Sequence, residues 1–107
     1  STELEQDGNE LMHMRAIDAT IKALIPPLAD LLEWAATSGD IDCPNPDAAA
    51  AAVLVFSAQL LDRDLLGWVK NRNIAAIRDF GVVAERVIGA PAGTFTPIVD
   101  SFIASLP

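Results

Sequence analysis

The chain has 107 residues, 51% of them hydrophobic, enough for one domain with its own core. Fifteen acidic against seven basic side chains leave a formal net charge of −8, which repels phosphate backbones and argues against nucleic-acid binding by these residues. A single cysteine, Cys43, rules out an internal disulfide, and no apolar run approaches the ~20 residues that a membrane span needs.

Tyr is absent, Trp and Phe are few and alanine is abundant, so the composition favours helices over strands. The first stretch, "STELEQDGNE", is acidic and reads as a solvated, flexible lead-in over residues 1–10, without the basic and apolar regions of a secretory signal. It opens on Ser, as a processed form or a fragment of something longer would. Residues 11–107 read as a single helical domain. Gly8-Asn9 is a punctuation point, with Asn9 able to cap the helix beyond it.

From Leu11 to Thr37 the apolar residues Met14, Ile17, Ile21, Leu24, Leu28, Leu31 and Ala35 step by threes and fours, the seam of an amphipathic helix. Pro26-Pro27 interrupts this stripe without shifting its phase. The expectation is a kink in one long helix, or two helices meeting almost in line. Ser38-Gly39-Asp40 ends the segment, with Gly39 as a left-handed cap. Asn45-Pro46-Asp47 then supplies a cap residue, a proline at the first helical position and an acid in the first turn.

The helix so begun is expected to run from Pro46 to about Val69, with Lys70 and Arg72 suited to its C-terminus. Its first half, Ala48 to Phe56, is apolar all round, which implies burial on more than one side. Asn73 caps a third helix, Ile74 to Ile88. Ile74, Ile77, Gly81, Ala84 and Ile88 form one stripe on it, and Ala76, Phe80, Val83 and Val87 another. Arg78, Asp79, Glu85 and Arg86 occupy the remainder. Together the stripes span roughly 180°, more than the ~100° a surface helix needs. Gly81 within this arc fits a close helix crossing. Gly89-Ala90-Pro91 ends the helix. Thr96 is expected to cap a short last helix, with Pro97 at its first position and Ile98, Val99, Phe102, Ile103 and Leu106 as its apolar set. The fold class is all-α, an antiparallel helical bundle.

Catalytic signals are sparse. His13 is the only histidine and has no metal-ligand spacing around it, so it reads as a core or boundary residue, or as a polar contact in a pocket. Asp62 and Asp64 point about 200° apart on a helix and cannot chelate one ion together, so they read as surface charge. Cys43 reads as a small, partly buried loop residue, and a reducing, cytoplasmic setting fits it. No nucleophile elbow, phosphate-cradling loop or dinucleotide fingerprint occurs. The expectation is no enzyme and no cofactor. A small helical enzyme using carboxylates such as Glu33 or Asp62 stands as the most distant alternative. Trp34, Phe56, Trp68, Met12 and Met14 suit either plain core or an apolar cavity.

The run "LIPPLADLLEWAATSGDIDCPNPDAAAAAVLVFSAQLLD" resembles the C-terminal half of TetR-type transcriptional regulators. There a helix ends in a small-residue turn and passes through a D-P or N-P-D element into an Ala-rich helix. Gly39-Asp40-Ile41-Asp42 and Pro46-Asp47-Ala48-Ala49 match that pattern, and the later "ERVIGAPAGTF" is similar to the family's stretch after its last long helix. The resemblance covers roughly residues 20–95. It implies an effector-binding domain that homodimerises through its last two long helices, here Pro46–Val69 and Ile74–Ile88, and that reaches DNA only through an N-terminal helix-turn-helix domain not present in these residues. It does not account for Pro26-Pro27.

On this reading the chain is the regulatory part of a TetR-like regulator, a repressor, and its partners are a second copy and a small apolar effector, with no membrane. Stripe geometry nominates Leu54, Ala58, Leu61, Ile74, Ile77, Gly81, Ala84 and Ile88 as dimer contacts. It nominates Met14, Ile17, Ile21, Trp34, Phe56 and Leu60 as pocket residues. A stand-alone helical protein-interaction module is the rival expectation.

Overall fold

The structure, a computed structural model, describes residues 2–107. It is all-α. Helix α1 spans Thr2–Thr37, α2 Pro46–Ser57, α3 Ile74–Ile88 and α4 Thr96–Ala104, and a π-helical turn over Ala58–Asp62 prolongs α2. There is no strand among the described residues, and none of their helices is long and apolar enough to cross a membrane.

Helix α1 sets the length of the molecule. Its 36 residues at ~1.5 Å each account for the 55 Å long axis, against 29 and 18 Å across. Of the acidic stretch expected as a flexible lead-in, residue 1 lies outside the described residues and residues 2–10 form exposed first turns of this helix, and Gly8-Asn9 neither starts nor caps it. Glu3 and Glu5 lie in the first turn, where the helix dipole favours acids. Of the two outcomes expected at Pro26-Pro27, the structure takes the single helix. Only past the prolines does α1 bury residues, Ala29 and Leu32.

Those two join Cys43, Ala49, Ala50 and Ile88 in the main core, with Ile25, Leu28, Ile41, Val53 and Phe95 packed around them. The pairing shows how the helices run. Late α1 meets early α2, while Ile17 and Ile21 of mid α1 face Leu54, Ala58 and Asp62 of late α2. Ala49 likewise meets Ile88, whereas Leu61 meets Ile77. Each helix is therefore antiparallel to the next, as the fold class requires. Alanine at 49 and 50 lets the helices approach closely.

Two glycines make the turns. Gly39 ends α1 at φ +82° and Gly89 ends α3 at φ +69°. Gly89 also lies against the α1–α2 loop, where Asp42 N–H donates to its carbonyl at 2.9 Å. A Cβ there would fall 1.8 Å from the Asp42 carbonyl oxygen, so only glycine fits.

The helix expected to reach Val69 ends at Asp62. Beyond it, Asp64 adopts φ +53° and its carboxylate accepts from Val69 N–H at 2.9 Å and Lys70 N–H at 2.8 Å. The side chain thus takes backbone donors that a helix would have used, and the chain turns instead. Asp64 is a structural acceptor, not plain surface charge. Asn73 caps α3 as expected, its Oδ1 accepting from Ala76 N–H at 3.2 Å. The cap position of α4 is Phe95, with Thr96 already helical. Glu85, which lies outside both apolar stripes, is nevertheless only 4% exposed, because the loop after α3 folds over it and Phe95 N–H donates to its carboxylate at 3.2 Å. Helix α4 lies on α3 with no fully buried residue, held by the Arg78–Asp100 ion pair and by Arg72 donating to the Pro107 carbonyl.

Candidate functional site

A groove of about 460 Å³ opens between α1 and α2, within the size range of small-molecule sites. Helix α1 contributes His13, Ala16, Ile17, Thr20, Ile21 and Leu24, a helical spacing that keeps one face turned to the groove. Helix α2 and its π-helical turn contribute Leu54, Ser57, Ala58 and Asp62. Small residues at 16, 57 and 58 leave the space that larger side chains would fill. Apolar surface dominates the walls. Thr20 donates its hydroxyl to the Ala16 carbonyl at 2.8 Å, which leaves its oxygen as an acceptor. His13 is exposed, so it is not a core residue, and it lies on the lining of this groove.

A second cleft, about 280 Å³, lies between α2, α3 and α4 and is lined by Val53, Leu61, Ile77, Phe80, Phe95, Val99 and Phe102 among others. Ser57 is the one polar side chain along it.

Of the six pocket candidates, Ile17 and Ile21 enter the α1–α2 groove, together with Leu54 and Ala58 from the dimer set. Trp34 is 64% and Phe56 51% exposed, and Met14 is exposed as well. None of these three lines the groove, nor does the half-buried Leu60. Trp34 belongs to the far end of α1, beyond the groove's last residue, Leu24.

The dimer candidates serve the chain's own packing. Ala58, Ile77, Gly81, Ala84 and Ile88 are buried within it or half-buried, and Leu61, Ile77, Gly81 and Ala84 wall the second cleft. Ile74 is half-buried. The α3 arc was wide enough for two apolar surfaces, but a helical wheel does not tell which half turns inward. The half left outside is the Val83 and Val87 stripe. Val87 borders a shallow hollow with Ala48 and Ala49, so that stripe continues onto α2. The outer side of α2 carries Ala48, Ala52, Val55 and Phe56, with no charged residue between Asp47 and Asp62. Val55 is 38% exposed and Val83 52%.

Sequence reasoning missed Thr20, Ser57 and the role of Asp62. The i, i+3, i+4, i+7 run from His13 to Leu24 was the available signal for Thr20. Asp62 enters the groove only because of the π-helical turn, which the apolar pattern did not announce. Comparison with protein-family models, with curated proteins and with solved structures gives no match.

Proposed function

We propose that this chain is the effector-binding and self-associating domain of a TetR-like transcriptional regulator, acting by repression and without catalysis. The observation that carries the reading is the double use of α2. One side of this helix walls an open apolar groove, and the opposite side is an apolar face that no other helix covers. A small effector in the groove contacts α1 and α2 directly. A second copy seated on the outer face of α2 and α3 would then feel any shift of α2, and DNA-binding domains joined to the two copies would move with it. Such coupling requires only that the effector bind one arrangement better than the other.

The all-helical fold, the Ala-rich α2 and the N-P-D entry into it support the family part of this reading. The outer face has the character of a self-complementary two-fold contact, in which the same patch serves both copies. The exposed Leu4, Leu11 and Met12 on the first half of α1 favour a second reading, a helical module that binds another protein along that helix.

Light scattering on a dilution series tests the proposal. A dimer that persists to low micromolar concentration is the expected result. A folded monomer at every concentration would remove self-association and leave the interaction-module reading in its place.

A further inference from the structure

The α1–α2 groove holds one carboxylate and no lysine or arginine among its lining residues. Resting on the reading of that groove as an effector site, we infer that its ligand is an amphipathic organic cation. An apolar body would lie along Ile17, Ile21 and Leu54, with the positive head beside Asp62.

The charges around the groove favour this polarity. Asp62 is exposed at one end of the lining, and among the described residues the one ion pair is Arg78–Asp100, formed between α3 and α4. The neighbouring Arg63 does not neutralise Asp62 by contact, since its guanidinium donates to Gln59 Oε1 at 2.6 Å. On α1 the two cations, Arg15 and Lys22, are seven residues apart on the side of the helix away from Ile17 and Thr20. The groove face of α1 continues past His13 to Glu10. The whole chain carries −8, which raises the local concentration of cations and lowers that of anions. From His13 to Leu24 the groove runs ~16 Å along α1, room for an extended alkyl or aryl body. The second cleft has no charged residue on its lining and offers no such head-group position.

Calorimetric titration of the full chain with octyltrimethylammonium, octanol and octanoate, all below micelle formation, tests the inference. The cation should bind roughly fivefold more tightly than the alcohol, and octanoate more weakly than either. Asp62→Asn should bring cation and alcohol to equal affinity. Thr20→Trp, at an exposed position that fills the groove, should weaken both. Alcohol binding as tightly as the cation, or a preference that survives in Asp62→Asn, would overturn the cationic assignment and leave an effector groove standing. Binding indifferent to Thr20→Trp would place the probes elsewhere and overturn it too. If no probe binds, the effector reading falls with it.

Discussion

Gly81 marks the point where α4 crosses α3. A Cβ built there would lie 2.6 Å from Val99 Cγ2, well inside contact distance. Valine is stiff at χ1, so it cannot swing aside without moving its backbone. The close crossing that a glycine within an apolar arc suggests is thus real, but the partner is the chain's own last helix. Alanine at 81 would gain about 1 kcal/mol in helix propensity and lose more to this overlap. Gly81→Ala should therefore destabilise by about 1–2 kcal/mol in urea unfolding. In a Val99→Ala background the same change should be neutral or stabilising, because the clash is gone. Additive costs in the double-mutant cycle would show that the two positions do not meet.

At the scale of elements, α1 is two structures in one. Pro26 and Pro27 withdraw two N–H donors, so the carbonyls of Lys22 and Ala23 lose their partners one turn back. All of the fully buried residues of α1 lie after this gap, and its first three turns touch solvent on every side. Hydrogen exchange should accordingly protect Leu28–Thr37 strongly and residues 2–12 hardly at all. Uniform protection along the helix would mean that something else covers its first half. The same helix shows what a sequence discloses. The positions of α1's C-terminus, of α3 and of the glycine turns were legible, because apolar period, caps and left-handed glycines act locally. The end of α2 was not, because Asp64 drawing in the Val69 and Lys70 amides is a competition whose winner depends on the loop's final shape. Nor was the orientation of α3, since Val83 and Ile77 are equally apolar and only packing decides that Ile77 goes in. For the groove, two of the six α1 wall residues, Ile17 and Ile21, were among the pocket candidates. The α2 wall was assigned to the other surface.

Taken whole, the molecule exposes more than its mass requires. Its accessible surface is 7160 Å², against ~5,700 Å² for a compact monomer of 11.3 kDa. Its radius of gyration is 15.7 Å, against ~13 Å for a compact chain of this length. The difference in area exceeds the ~800 Å² per partner of a standard interface. Part of it belongs to the bare start of α1, and part to the Val55, Phe56, Val83 and Val87 face. If the proposed dimer uses this face, Val55→Asp would bury a charge in the contact, so it should lower the dimer's affinity by about 100-fold while leaving the circular dichroism unchanged. Unaltered dimer mass would move the contact to α1. The π-helical turn decides which of α2's two sides receives Asp62. Residues seven apart share a line along an α-helix, so unbroken α geometry would put position 62 on the line of Val55. The π turn takes up one extra residue and transfers position 62 to the line of Leu54. Straightening that turn into plain α-helix, with every residue kept, would carry the carboxylate to the outer face, where a second copy would have to bury it, and would leave the groove without any charge.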